Sequence, residues 1–365
     1  MSNKKPIVGI THGDINGVGY EVILKTLSEP HMTEICTPVV YGSQRVAAFY
    51  RKALGLPQLP MNVIDTLEYV KEGEVNIINV VDDELKVEPG RDTQEAGRAA
   101  FAALERAVTD LRSGDIDALV TAPINKNNIQ CETFTFPGHT EYLEASLDDR
   151  SRRALMVLFN DVTRVALVTT HLPVAKVPGT LTAELIAEKI KIFDRSLRED
   201  FGIHAPRIAV LSLNPHAGDN GLMGDEEKEI IAPAIAEAEK ERILCFGPYA
   251  ADGLFGSGAY RRFDGVLAMY HDQGLAPFKA VAGADGVNFT AGLSRVRTSP
   301  DHGTAYDIAG KGEADETSMR RAVYAAVDIL ANRERHSEAT RNPLRRQYVE
   351  KNKSDNVVLD LSKDE

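Results

Sequence analysis

The chain has 365 residues, 43% of them hydrophobic, enough for two lobes with a cleft between them, because a single core stops growing near roughly 250–300 residues. Its 54 acidic residues against 42 basic ones give a net charge of −12, which excludes a nucleic-acid partner, since that would need a basic face. Cys36, Cys131 and Cys245 lie far apart with no CxxC pair, which excludes a disulfide framework and a thiolate zinc site; no run of about 18 apolar residues marks a membrane span.

The N-terminus, MSNKKPIVGITHGD, has no signal-peptide stretch, so the expectation is a cytoplasmic protein. PIVGIT (6–11) reads as a strand followed by a helix near 18–28, TPVVYG (37–42) as a strand before a helix near 44–54, and VNIINVV (75–81) as a strand before a helix near 92–113. The rhythm continues through IDALVTA (116–122), TRVALVTT (163–170), PRIAVLSLN (206–214) and FDGVLAMY (263–270), with charged helical stretches at AELIAEKIKIFDRSLRED and DEEKEIIAPAIAEAEKER. Strand followed by helix, repeated, predicts an α/β fold with a largely parallel sheet. From His336 the sequence turns polar and charged, and 336–365 reads as an appended tail.

In an open α/β sheet, ligands bind beyond the carboxyl ends of the strands. Three apolar runs end there in a histidine: RVALVTT in His171, IAVLSLNP in His216 and GVLAMY in His271. One such histidine is ordinarily structural, but three in the same topological position point to a catalytic metal, because three imidazoles leave coordination positions open for substrate. The flanks add Asp272 and Lys279 after His271, and Asn214, Asp219 and glycines around His216. FPGHTEYLE offers His139 and Thr140 at a helix start, which suits either an anion site or an ordinary capped turn. Near the N-terminus, GDINGVGYE breaks the G-x-G-x-x-G spacing and excludes a Rossmann dinucleotide fold. Cofactor contact falls instead on DHGTAYDIAGKGEAD (301–315), where Asp307 can accept from ribose hydroxyls.

HGTAYDIAGKG is similar to the adenosine-binding loop of the isocitrate and isopropylmalate dehydrogenases. TAPINK (121–126), FPGHTEYL (136–143), LNPHAGDNGLMGDEE (213–227), GPYAADGLF (247–255), YHDQGLAPFK (270–279) and GVNFTAGLSRVRTSPDHGTAYDIAG (286–310) together resemble the 4-hydroxythreonine-4-phosphate dehydrogenases of vitamin B6 synthesis, over roughly residues 5–335. The resemblance implies two α/β/α lobes of isocitrate dehydrogenase-like fold with a cleft between them. One is a discontinuous cofactor-side lobe (1–128 plus 288–335), and the other is a metal, substrate and dimerisation lobe (129–287). It implies a homodimer whose subunits share a divalent metal, typically zinc, on residues matching His171, His216 and His271; imidazole ligands also accept cobalt, nickel or manganese, and magnesium is a further candidate. Substrate contacts carry over to His139, Thr140, Lys279, Asn288 and Arg297, and cofactor contacts to Gly303, Thr304, Ala305 and Asp307.

The implied reaction is oxidation of the C3 hydroxyl of 4-phosphooxy-L-threonine by NAD or NADP, followed by loss of carbon dioxide to give 3-amino-2-oxopropyl phosphate. Lys279 or Asp252 is the candidate base. A carboxylate at Asp307 favours NAD, since it would repel a 2′-phosphate. The alternatives are a dehydrogenase of threonate or erythronate 4-phosphate on the same fold and, more distantly, a phosphate acyltransferase or a non-catalytic binding protein. Where the family commonly has TPGEPAG-IG, this chain reads THGDINGVG, which leaves His12 and Asn16 without a family role.

Overall fold

The computed structural model describes residues 4–82, 84–147 and 153–342. In chain order the elements are β1 (Ile7–Thr11), α1 (Gly19–Leu27), α2 (His31–Ile35), β2 (Thr37–Gly42), α3 (Gln44–Ala53), β3 (Met61–Ile64), β4 (Val75–Asn79), α4 (Gln94–Ser113), β5 (Ala118–Thr121) and α5 (His139–Leu147). There follow β6 (Leu155–Phe159), β7 (Arg164–Leu167), α6 (Val177–Thr180), α7 (Ala183–Glu199), β8 (Arg207–Leu211), α8 (Ala232–Lys240), β9 (Leu244–Tyr249), α9 (Ala251–Gly256), β10 (Gly265–Ala268), α10 (His271–Ala282), β11 (Val287–Ala291), β12 (Val296–Pro300) and α11 (Thr317–Thr340).

Local chemistry sets many of these boundaries. The hydroxyls of Ser43, Thr93 and Thr182 accept from the amides of Val46, Ala96 and Leu185, which starts α3, α4 and α7. Gly114, at φ 87°, closes α4 in the left-handed region. The strands are short, apolar and buried, as expected where helices cover both faces of a sheet.

All strands join one sheet in the order β3-β4-β2-β1-β5-β12-β11-β6-β7-β10-β8-β9. The first six run parallel, as do the last four, but β11 and β6 pair antiparallel with their neighbours and reverse the direction between the two blocks. Strands of 129–287 before Val287 fill one end of the sheet, while strands of the N-terminal third together with β12 fill the other. One face packs Val8, Ile10, Val120, Val157, Ile208 and Val210 against α1, α7, α8 and α11. On the opposite face, α4 covers Tyr41 and Leu119, and α10 covers Val165, Leu167 and Val266. The helix α11 continues to Thr340, four residues beyond the expected start of the charged tail at His336; 343–365 lie outside the described residues.

Candidate active site

A cavity of about 260 Å³ opens over the centre of the sheet, where the two parallel blocks meet. Its walls come from the segment after β5 (Thr121 to Lys126), the start of α5 (His139 to Glu141), β6, β11 and β12, and the segments after β7, β10 and β12. His139, Thr140, Lys279, Asn288 and Arg297 all line it, as do His171, His271 and Gly303.

Strands β7, β10 and β8 are parallel neighbours, so His171, His271 and His216 follow the same end of three adjacent strands. Side chains tie these ends together. Thr169 Oγ1 donates to the Met269 carbonyl at 2.7 Å, while Gln273 accepts from Met269 N at 2.8 Å and donates to the Ser212 carbonyl at 2.5 Å. Gly274 lets α10 sit close to the sheet, because a Cβ there would come within 2.8 Å of Leu167 and 2.9 Å of Ala268. His171 and His271 thereby face each other with ring centroids 6.1 Å apart.

Their hydrogen bonds orient both rings alike. Lys126 Nζ, a donor only, lies 3.0 Å from His171 Nε2, so that nitrogen accepts and Nδ1 carries the proton toward Glu141 Oε1 at 3.4 Å. His271 Nδ1 meets Asp272 Oδ1 at 2.7 Å. Carboxylates on both Nδ1 atoms leave both Nε2 atoms as the available lone pairs, the arrangement that supports metal-ligating histidines. Two of the three expected ligands therefore suit a divalent metal.

His216 sits apart from that cavity. It opens a left-handed turn in which His216, Ala217, Gly218, Asp219 and Asn220 all have positive φ, between 43° and 77°. Such backbone costs about 1–2 kcal/mol per non-glycine residue and needs strong anchoring. Glu227 supplies it: Oε1 accepts from Leu213 N at 2.8 Å and Asn214 N at 2.7 Å, and Oε2 accepts from Asn214 Nδ2 at 3.0 Å. His216 is exposed and does not line the cavity, and among the described residues no three His, Cys, Asp or Glu side chains of one chain cluster as a metal site.

The cavity is cationic inside an acidic protein. Arg297 is 2% exposed, and its guanidinium is bonded to the hydroxyls of Thr121 (2.5 and 3.0 Å) and Thr290 (3.2 Å). Burial pulls its pKa down to about 9, opposed by the charge of Glu141, so it is still protonated at neutral pH. Burial, with the charges of Arg297 and Lys126 in support, holds His139 well below the usual imidazole range and keeps it neutral. Its Nε2 and Asn288 Oδ1 are enclosed without partners, so both are ready for a bound polar ligand. Lys279 donates to the Asp301 carbonyl at 3.0 Å and pairs with its carboxylate at 3.2 Å, while burial pushes the Asp301 carboxyl up.

A second, mostly apolar cavity of about 240 Å³ adjoins the first and shares Asp301 and His302 with it. Ala305, Ile308 and Asp315 line it. The Thr304 carbonyl accepts from Val18 N at 3.0 Å, whereas Asp307 is exposed and lines neither cavity. Asp252 is exposed on α9, away from both. His12 is fully buried and stacked on Tyr20 at 5.3 Å, so it is no cleft residue. Sequence reasoning missed Lys126 and Glu141. Both lie in motifs quoted above, but charged side chains at a turn and a helix start read as solvated surface until the fold sets them beside His171.

A model of the pyridoxal phosphate biosynthetic protein PdxA family matches residues 34–326. The chain is 59% identical over 361 residues to the 4-hydroxythreonine-4-phosphate dehydrogenase of Bacteroides thetaiotaomicron, covering 99% of each. It is 43% identical over 333 residues to that of Prosthecochloris aestuarii, covering 88% of this chain and 97% of the other. The crystal structure of the Klebsiella pneumoniae 4-hydroxythreonine-4-phosphate dehydrogenase superposes with a TM-score of 0.77 at 36% identity, covering 90% of this chain and 99% of that one.

Proposed function

The chain belongs to the PdxA family of pyridoxal phosphate biosynthetic proteins, and from that premise we propose that it oxidises 4-phosphooxy-L-threonine at C3 with a nicotinamide cofactor, NAD in preference to NADP. The product, 2-amino-3-oxo-4-phosphooxybutanoate, is a β-keto acid and loses carbon dioxide to give 3-amino-2-oxopropyl phosphate. The observation that carries this reading is the cavity itself: buried Arg297, Lys279, neutral His139 and two carboxylate-backed imidazoles converge on one space beside an apolar cavity.

Each group has a task. Arg297 binds the anionic groups of the substrate, and the unpartnered polar atoms of His139 and Asn288 orient the rest of it, with Thr140 beside them. His171 and His271, with His216 from a second copy, would hold a divalent metal, typically zinc. When bound, it would acidify the C3 hydroxyl and polarise the ketone for decarboxylation. Lys279, on the cavity wall and paired with Asp301 at 3.2 Å, is the base that takes the hydroxyl proton. Hydride leaves C3 for a nicotinamide delivered from the second cavity, whose apolar walls, Ala305 and Ile308 among them, suit an adenine ring. Asp307 and Asp315 put negative charge at that end and disfavour a 2′-phosphate. The working unit is a cytoplasmic homodimer.

NADH formation by metal-replete protein with 4-phosphooxy-L-threonine, and in parallel with erythronate and threonate 4-phosphates, tests the reading when repeated on His216→Ala. Turnover of the amino substrate, lost in the variant, is the expected result. Turnover of the sugar acids alone would move the protein to another pathway, and no turnover at all would overturn the assignment.

A further inference from the structure

Lys126 is the cation in the cavity with no task in the scheme above. Its position is built. Asn125 Oδ1 accepts from Asn127 N at 2.8 Å and Asn128 N at 3.3 Å, and Asn125 Nδ2 donates to Tyr306 Oη at 3.0 Å, which fixes the turn that carries Lys126. Lys279 is paired with Asp301, and Glu141 lies near Arg297, His171 and Lys126, but among the described residues no carboxylate comes within ion-pair distance of Lys126. Its contact is the lone pair of His171 Nε2 at 3.0 Å.

That lone pair is the one a metal on His171 would need, and one lone pair cannot serve an ammonium and a metal together. We propose that Lys126 is a movable substrate-binding cation: it rests on His171 Nε2 in the metal-free protein and, displaced when a metal takes that nitrogen, turns to the substrate's phosphate. The chemistry of the ligand supports this. A phosphate monoester carries nearly two negative charges at neutral pH, beyond what Arg297 and the already paired Lys279 offset. The hand-off makes metal binding precede tight substrate binding. It also makes Lys126 a competitor of the metal before substrate arrives. This inference rests on the proposed function, and two separate readouts keep their failures apart.

The first readout is metal affinity without substrate or cofactor, by titrating the metal-free protein with Co²⁺ and following its visible absorption. Removing the competing cation in Lys126→Met should tighten Co²⁺ binding about tenfold, the size of one lost hydrogen bond plus relieved charge repulsion. The second is steady-state kinetics with 4-phosphooxy-L-threonine at saturating metal. Lys126→Met should raise KM about tenfold or more with kcat within about threefold, and Lys126→Arg should restore most of the KM. Unchanged or weakened Co²⁺ binding in Lys126→Met, or an unchanged KM, would overturn the inference while wild-type turnover leaves the dehydrogenase reading intact. No metal-dependent turnover by the wild type would overturn both.

Discussion

Arg297 shows what a single residue can and cannot disclose. Apart from the family resemblance, nothing in GLSRVRTSP marks the second arginine rather than the first as the functional one; the two lie two residues apart at a strand's start. The fold separates them. Arg295 donates to the Arg112 carbonyl near the surface, whereas Arg297 points inward from β12 and is held by two threonine hydroxyls, with Glu141 nearby but, among the described residues, no carboxylate bonded to its guanidinium. A buried guanidinium held that way keeps donors for an anion, and its planar fork cannot be reproduced by a lysine. Arg297→Lys is therefore expected to lower kcat/KM for the phosphorylated substrate by roughly ten- to a hundredfold, the worth of a charge-assisted pair, with the fold intact by circular dichroism. A variant within about twofold of wild type would remove Arg297 from substrate binding. His12 is the contrasting case, a histidine directly after β1 that is entirely interior. Burial lowers its pKa from 6.5 to about 4, so between those values the unfolded chain binds a proton that the folded chain refuses. The contribution to stability is complete above pH 6.5 and is lost as pH falls toward 4, about 3 kcal/mol in all. His12→Phe should abolish much of that acid sensitivity, because it removes the buried group whose charging burial opposes. Urea midpoints at pH 7 and pH 5 would show it, and an equal drop in both proteins would refute it.

At the scale of elements, the legible strands were parallel ones, although β3 and β9, parallel too, were not among them. Apolar runs of four to six residues followed by amphipathic stretches announce β1, β2, β4, β5, β7, β8 and β10, because strands covered on both faces have no polar alternation to hide them. The antiparallel strands escaped. The pair β11 and β12 is joined through a tight turn at Gly292, φ 86°, with no helix between, so the strand-then-helix rhythm carries no sign of it, and β6 follows a helix it does not pair with. Less legible still was the left-handed turn bearing His216. Glycines at 218, 221 and 224 hint at unusual backbone, but the residue that holds the turn, Glu227, is a distant member of a charged run that reads as solvated helix. Glu227→Ala would leave the Leu213 and Asn214 amides without their acceptor, while Asn214 Nδ2 keeps Glu226, and the expected cost is about 2–3 kcal/mol of stability with loosening confined to that segment. Faster amide exchange over 213–221 together with slower turnover is the expected outcome. Faster exchange across the whole of β8 as well would mean that the carboxylate braces the sheet rather than the turn.

For the whole molecule, the histidine pattern points beyond a single chain. His171, His271 and His216 follow three adjacent parallel strands, which made them stand out in the sequence, yet only the first two face the cavity while His216 projects on an exposed, strained and well-anchored turn. A protein gains nothing from maintaining several kcal/mol of backbone strain on a surface histidine unless that side chain is used elsewhere, and the proposed symmetric dimer would provide the place, because a two-fold axis would let each copy's turn enter the other's cavity. This reading makes a quantitative demand. His171→Ala and His216→Ala should each be inactive alone, since every site lacks one ligand. Unfolded, mixed in equal amounts and refolded together, half of the dimers would be mixed, and each mixed dimer would own one site carrying both substitutions and one carrying neither. About a quarter of the wild-type activity should return, with a matching quarter of tight metal sites. If each site were instead built within one chain, every site in the mixture would still carry a substitution, and mixing would restore nothing. Because the two outcomes differ by a whole class of intact sites rather than by a rate, the experiment distinguishes a shared centre from a self-contained one even when either variant folds slightly less well than the wild type.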